Sequence, residues 1–173
     1  FYDEDEIENK NGNKVSKSSG SLVEWVEEES YFFKLSAWGD KLLKFYEENK
    51  NFILPKSRMN EVTRFVEKGL KDLSISRTSF TWGIQVPENN KHIIYVWLDA
   101  LTNYLSALDF PNIDGKMYKN FWPASVHIIG KDIIRFHAVY WPAFLLAAKL
   151  PIPKRIFGHG WILSDTKKMS KSL

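Results

Sequence analysis

Two lysines near the end of the chain lie in a short run of small polar residues. Lys168 and Lys171 are three positions apart, and Ser170 and Ser172 alternate with them. A loop of this composition can place two mobile ammonium groups and two hydroxyl donors on the oxygens of a phosphate. A solvated basic turn has the same composition, since runs of charge usually lie at the surface. The run by itself therefore leaves both interpretations open.

A second set of candidate residues lies in the middle of the chain, at or after the ends of two apolar runs. The runs are 93–98 and 125–129, and each is typical of a strand that is buried on both faces of a sheet. In an open parallel sheet, ligands bind in the crevice beyond the carboxyl ends of the strands, so we expect these candidates to lie close together. The candidates are Trp97, Asp99, Tyr104, Gly130, Asp132, His137 and Trp141.

Several of these candidates also have purely structural interpretations. Trp97 and Trp141 could be core residues, because tryptophan is highly buried on average. Asp132 could be the N-cap of the helix that follows it. His137 has apolar neighbours, and a histidine in such a setting is more often a satisfied core residue than a catalytic base. The residues alone predict half of an α/β nucleotide-binding domain.

Composition excludes several kinds of protein. The chain has 173 residues with a net charge of +3, which does not by itself predict a nucleic-acid partner. It has no cysteine, and His127, His137 and His159 are far apart in the sequence, so we predict neither disulfides nor a metal site. The longest apolar run, 140–148, is too short for a membrane helix. We interpret the chain as part of a longer cytoplasmic protein.

The elements that must position the candidates follow from the spacing of apolar residues. In order, the sequence predicts a strand over 93–98, a helix capped by Asp99 and ending near Leu108, a strand over 125–129, a helix over 133–149 kinked at Pro142, and a strand over 154–163. Strands that alternate with helices in this way predict right-handed crossovers and a parallel sheet.

The first half of the chain predicts shorter elements. Residues 1–20 are polar and predict an exposed hairpin or a partly disordered loop. The other predicted elements are short strands over 23–26, 31–35 and 81–87, a helix capped by Ser36 and ending at Glu48, and a helix from Arg58 capped by Ser57.

Several segments resemble the class I aminoacyl-tRNA synthetases. The run Lys168-Met169-Ser170-Lys171-Ser172 matches the nucleotide-binding loop of that class letter for letter. Other segments resemble blocks of the methionyl-tRNA synthetase family in the same order and spacing. These segments are 95–105, 127–144 and 157–161 in the second half of its catalytic domain, and 28–36 and 75–77 at the end of its inserted connective domain.

The resemblance implies a fold and a domain organisation. The expected fold is α/β, with half of a Rossmann-type parallel sheet and its flanking helices preceded by part of an α+β connective insert. The insert would cover 1–91, with 1–21 mobile, the second catalytic half would cover 92–163, and the signature lysine loop would cover 164–173. The run Leu101-Thr102-Asn103 replaces a proline-containing version and suggests the bacterial and organellar subgroup.

The resemblance also implies an activity. The family activates methionine with ATP and Mg²⁺ to methionyl-adenylate and transfers it to tRNA(Met), and we expect the parent protein to be a monomer. The first catalytic half, with its His-Ile-Gly-His-type motif, and the helical anticodon-binding domain are absent from this sequence. We therefore expect the chain to be inactive by itself.

Site residues carry over from the family position by position. Lys168, Lys171 and Asp132 would be catalytic, and Arg77 would support Asp132 as an ion-pair partner. The methionine site would consist of Trp97, Ala100, Leu101, Tyr104, Asp132, Ile133, His137 and Trp141. The ATP site would consist of His159, Gly160, Trp161, Lys168, Ser170, Lys171 and Ser172.

Two alternatives remain open. The chain could come from another class I synthetase, specific for leucine, isoleucine, valine or cysteine. The aromatic residues of the expected pocket favour methionine, because aromatic faces and edges hold a flexible thioether well. The chain could also be a noncatalytic tRNA-binding or interaction module that has kept a synthetase-like sheet.

Overall fold

The computed structural model describes residues 6–17, 19–25 and 27–169. The strands are β1 (Ile7–Lys10), β2 (Asn13–Ser16), β3 (Phe32–Phe33), β4 (Ile53–Leu54), β5 (Leu73–Ser74), β6 (Ser76–Arg77), β7 (Gln85–Val86), β8 (Asn89–Ile94), β9 (His127–Gly130), β10 (Ile156–His159), β11 (Leu163–Ser164) and β12 (Lys167–Lys168). The α-helices are α1 (Gly39–Glu48), α2 (Lys56–Glu67), α3 (Val96–Ser106), α4 (Lys116–Phe121) and α5 (Trp141–Ala147). Within these residues, no helix combines the length and the hydropathy that a membrane span requires.

A parallel three-stranded sheet forms the centre of the α/β part. Its strand order is β4–β10–β9, with Ile156 of β10 paired to Ile53 on one side and to His127 on the other. Its inner face packs on α1, α2 and the segment before α5, around a core that includes Leu42, Val62 and Val139. The parallel sheet expected from strand–helix alternation is confirmed, although β9 and β10 are shorter than the predicted strands.

The predicted strand over 93–98 is wrong. β8 ends at Ile94 and pairs antiparallel with β6 and β7, while α3 begins at Val96. The apolar run joins the end of a strand to the first turn of a helix, and continuous hydrophobicity cannot separate these two cases. The third parallel strand is instead β4.

The caps predicted for three helices are also wrong. Asp99 lies in the first turn of α3, where a carboxylate still favours the helix dipole, but the N-cap residue is Tyr95. Ser36 lies in a 3₁₀ turn, and its hydroxyl donates to Asp72 Oδ1 at 2.6 Å. Ser57 is the second residue of α2, and Pro55 is the N-cap residue.

The segments outside the parallel sheet form small antiparallel units. β1 and β2 make a hairpin, which agrees with the exposed hairpin expected within 1–20. The strand predicted over 81–87 is reduced to β7, and residues 23–25 of the strand predicted over 23–26 are irregular. The expected division after residue 91 falls inside β8 and stays a prediction.

The helix predicted over 133–149 is built from three different turns. It begins as a 3₁₀ turn over Lys131–Ile133, continues as a π-helix over Phe136–Tyr140 and ends as α5. Pro142 lies in the first turn of α5, where its missing N–H is tolerated. In a regular α-helix, the carbonyl of Ala138 would accept from the residue at position 142, which has no N–H to donate. The hydroxyl of Tyr46 donates to this carbonyl instead, at 2.6 Å.

We predict that Tyr46→Phe lowers the free energy of unfolding by about 1 to 2 kcal/mol, because it removes a buried donor from the Ala138 carbonyl. Urea or thermal unfolding would measure the change. Tyr118→Phe is a matched control, since Tyr118 is buried but its hydroxyl has no hydrogen bond among the described residues. Equal destabilisation by the two substitutions would contradict the assignment.

Candidate active site

An aromatic cluster joins α3 to the helical segment that follows β9, at the place where the amino-acid pocket is expected. α3 contributes one face, because its residues at positions 97, 100, 101 and 104 follow helical spacing. Leu101 is buried in the core beneath this face, whereas Ala100 is exposed at its rim. Seven of the eight residues expected to bind the amino-acid substrate lie on these two elements around the pocket: Trp97, Ala100, Leu101, Tyr104, Ile133, His137 and Trp141.

A chain of two hydrogen bonds crosses the pocket. The main-chain carbonyl of Ile133 lies 3.0 Å from His137 Nδ1, so this nitrogen carries the proton and donates. His137 Nε2 is then the acceptor of the Tyr104 hydroxyl, 2.9 Å away. This arrangement fixes the neutral tautomer of His137 and the direction of the Tyr104 O–H bond.

Stacked rings close the pocket on the side of Trp97. The rings of Trp97 and Phe136 are parallel within 11°, with centroids 3.7 Å apart, and His137 meets Trp97 at a T-shaped angle. Phe136 is not among the residues expected from the sequence. Its position next to His137 in the 127–144 block was the available signal, but the π-helical turn that brings it onto Trp97 has no sequence signature.

His127 is a second residue that is not among those expected from the sequence. The sequence offers it only as a metal ligand, a role that its separation from His137 by ten positions argues against. The structure places the two rings 6.1 Å apart and the ring of Tyr104 only 4.1 Å from His127. The ring of Trp122 also lies beside His127, and the centroids of these two rings are 6.2 Å apart. Strand β9 causes this proximity, because it directs His127 inward beside the helix that carries His137.

Burial keeps the pocket uncharged. It lowers the pKa of His137, although the bond to the Ile133 carbonyl opposes this shift. Burial, with a smaller contribution from His137, lowers the pKa of His127 to about 4. Burial also raises the pKa of Tyr104 above its ordinary value. Aromatic rings and neutral imidazoles suit an uncharged, polarisable side chain.

A second group of residues meets at the carboxyl edge of the parallel sheet. A Cβ atom built on Gly130 would lie 2.7 Å from Asp132 Oδ1 and 3.9 Å from His159 Cε1, so a side chain at position 130 would displace the Asp132 carboxylate from this arrangement. His159 Nδ1 lies 2.6 Å from the carbonyl of Gly160. The exposed carboxylate of Asp132 and the half-buried His159 therefore lie together at the ends of β9 and β10.

Trp161 extends this edge. Lys131 Nζ lies 4.7 Å from the centre of its ring, a cation–π distance, and the ring is partly exposed. Lys131 was not among the expected site residues. A flat aromatic ring can stack on a planar base, and the ammonium group beside it can contact the phosphates of the same nucleotide.

The expected lysine loop is described only in part. Lys168 takes part in β12, which pairs antiparallel with β11, so the segment begins as a hairpin. Ser170, Lys171 and Ser172 lie outside the described residues.

Arg77 is held by contacts of its own. It is buried and donates from one guanidinium nitrogen to the Ser74 hydroxyl and the Ser76 carbonyl, both at 2.6 Å. Its guanidinium carbon lies 4.5 Å from the ring centre of Tyr95, the residue before α3. Arg77 therefore braces the start of the helix that carries Trp97 and Tyr104, and its pairing with Asp132 stays a prediction.

In the part of the chain that the structure describes, no three histidine, aspartate or glutamate side chains come together as metal ligands would.

Comparison with known proteins places the chain in a family. The family model described as tRNA synthetases class I (M) matches residues 4–173, and the chain therefore belongs to this family of class I tRNA synthetases. Similar curated proteins are the methionine–tRNA ligases of Rickettsia bellii, Brucella suis and Mycobacterium bovis, which are 60%, 57% and 54% identical to it over 173 residues. Each alignment covers 100% of this chain but 33% of the relative, so the chain spans about a third of the length of these proteins.

Solved structures give the same result. Methionyl-tRNA synthetase of Mycobacterium tuberculosis bound by methionyl-adenylate is similar with a TM-score of 0.91 and 55% sequence identity, covering 99% of this chain and 34% of that chain. The apo form of that enzyme gives a TM-score of 0.87 and covers 93% of this chain. The Rossmann-type α/β fold and the methionyl-tRNA synthetase family expected from the sequence are confirmed.

We predict that His127 remains neutral until the pH falls to about 4. The unfolded chain takes up this proton near pH 6.5, so His127 makes folding stability fall as the pH falls from about 6.5 to about 4 and adds no further change below that. The pKa of His137 is lowered in the same direction.

NMR titration of the histidine Cε1–Hε1 signals would measure both values. The signals can be assigned with His127→Gln and His137→Gln variants. A His127 midpoint near 6.5 would show that the imidazole is not buried as described.

Proposed function

We propose that the full-length protein containing this chain is a methionine–tRNA ligase. It would activate methionine with ATP and transfer the methionyl group to tRNA(Met). The observation that carries the proposal is the neutral aromatic cluster around the Tyr104–His137 hydrogen bond, because aromatic ring edges and neutral imidazoles suit a thioether side chain. The family membership and the names of the relatives support the same reaction.

The pocket residues would select and hold the amino acid. Sulfur interacts favourably with the edges of aromatic rings, and Trp97, Tyr104 and Trp141 supply such edges on two sides. His137 would contribute by orienting the Tyr104 hydroxyl, because its own N–H already donates to the Ile133 carbonyl. Ala100, Leu101 and Ile133 would complete the apolar lining.

Asp132 would orient the main-chain part of methionine. Its carboxylate is exposed at the carboxyl edge of the sheet, next to the pocket, and can pair with an α-amino group. This leaves the carboxylate of methionine free to attack. Arg77 would act indirectly, by bracing α3 and by supporting Asp132.

The last residue of β10 and the residues after this strand would bind ATP. His159, Gly160 and Trp161 would border the adenine, while Lys168 and Lys171, with Ser170 and Ser172, would meet the phosphates. In the reaction, a carboxylate oxygen of methionine attacks the α-phosphorus, and the bond to the β-phosphate oxygen breaks to release pyrophosphate. The lysines would stabilise the charge that develops on the phosphate oxygens.

Mg²⁺ would accompany ATP rather than occupy a site made by this chain. The groups proposed to meet the nucleotide are mainly cations, hydroxyls and aromatic rings, which suit phosphates and a base. A hard divalent cation prefers clustered oxygen ligands. No step of the proposal therefore depends on a protein-bound metal.

The second substrate would be tRNA(Met). Its 3′-terminal ribose hydroxyl would attack the carbonyl of the adenylate, and AMP would leave. We propose that the full-length enzyme acts as a cytoplasmic monomer. We also retain the expected division into a connective insert over 1–91, a catalytic half over 92–163 and a lysine loop over 164–173.

The deciding measurement is ATP–pyrophosphate exchange by the full-length protein with a panel of amino acids. We predict that methionine alone supports rapid exchange and that Lys171→Ala reduces it about 10²-fold or more, the loss expected when one transition-state charge contact is removed. Lys154→Ala is the control, because Lys154 is an exposed lysine before β10, at the opposite end of that strand from His159.

Two results would contradict the proposal. Faster exchange with leucine or isoleucine would assign the pocket to another class I synthetase. No exchange with any amino acid, combined with retained tRNA binding, would favour the noncatalytic module.

A further inference from the structure

His127 is the first residue of β9 and points into the protein. Its backbone pairs with Ile156 of β10, and its side chain is only 5% exposed. The next residue, Ile128, points to the opposite face of the sheet and is 69% exposed. Alternation along the strand therefore directs the imidazole into the wall of the aromatic pocket.

Three rings surround this imidazole. The Tyr104 ring is nearest, with its centroid 4.1 Å away and its plane tilted by 56°. His137 and Trp122 lie at 6.1 and 6.2 Å, both at steep angles. A contact as close as that with Tyr104 prevents the tyrosine ring from turning about its Cβ–Cγ bond without striking His127.

The two nitrogens of His127 make the residue unusual for a packing position. Neither has a hydrogen-bond partner among the described residues, although both are fully buried. A buried polar atom without a partner carries a desolvation cost that phenylalanine or leucine would avoid. Packing alone therefore does not account for a histidine here, and its contact with Tyr104 is the feature that connects it to the pocket.

We propose that His127 is a positioning residue for amino-acid selection. It holds the plane of the Tyr104 ring, and because a phenolic O–H bond prefers to lie in the plane of its ring, it keeps this bond directed at His137 Nε2. Attraction between sulfur and a ring depends on where the ring edge lies, so a fixed Tyr104 favours a thioether over a hydrocarbon of the same shape. The inference rests on the proposed function, because it concerns how that pocket chooses methionine.

The first test compares methionine with norleucine, which replaces the sulfur by a methylene group. In ATP–pyrophosphate exchange with the full-length protein, His127→Phe should raise the KM for methionine about three- to tenfold and lower the selectivity over norleucine to a similar extent. The kcat and the KM for ATP should stay close to those of the unmodified protein, because His127 touches neither the reacting atoms nor the proposed nucleotide residues.

The second test asks whether His127 acts through Tyr104. In a protein that already carries Tyr104→Leu, the ring that His127 holds and its hydroxyl are both gone, so adding His127→Phe should change the selectivity little further. Ile128→Ala is the matched control, since it alters the same strand on the opposite, exposed face and should leave the selectivity unchanged.

The outcomes separate positioning from packing. Unchanged methionine selectivity in His127→Phe, or effects of the two substitutions that simply multiply, would overturn the inference. A fall in kcat that is equal for both amino acids would do the same, because it indicates a general packing defect. If phenylalanine prevents folding, His127→Leu gives the same readout with a smaller side chain. Exchange by the unmodified protein is measured first, since the absence of any methionine-dependent exchange would overturn the proposed function itself.

Discussion

The architecture of the pocket depends on a proline that cannot donate a hydrogen bond. Pro142 follows the Ala138 carbonyl by four residues, so this turn cannot form the α-helical bond. The chain takes a π-helical path over Phe136–Tyr140, and Tyr46 on α1 satisfies the carbonyl that Pro142 leaves. π-helical turns are often found at functional sites, and this one carries His137.

The same segment separates the two hydrophobic cores of the protein. Ala138 and Val139 pack into the core beneath the parallel sheet, whereas Trp141 and Phe144 pack into the core shared with α3 and α4. Because both faces are fully packed, the helix cannot rotate without opening one of the two cores. His137 is therefore fixed by packing on both sides as well as by its hydrogen bonds, which suits a residue that must present one tautomer.

The sequence predicted the type of fold and named most of the residues that the structure gathers around the Tyr104–His137 hydrogen bond, but not the geometry of the elements. The spacing of apolar residues and the order of the elements were sufficient to predict the parallel pair β9–β10, because each strand is a short apolar run that contains a glycine. They failed at 93–98, where a strand end and a helix start are both apolar. They also failed for His127, because sequence separation says nothing about which residues a parallel strand brings beside a helix. Only tertiary packing decides these cases, and neither has a local signature.

The turn after β9 connects the two halves of the site. Gly130 and Asp132 belong to the carboxyl edge where the nucleotide is proposed to bind, and the carbonyl of Ile133 belongs to the hydrogen-bond chain of the amino-acid pocket. These groups lie within four consecutive residues, in a 3₁₀ turn at whose entry a side chain on Gly130 would displace the Asp132 carboxylate. A shift of this turn would displace the Asp132 carboxylate and the His137 ring together. The proposed sites for the two substrates are therefore held in one fixed relation by a short piece of backbone, which is what an attack by one substrate on the other requires.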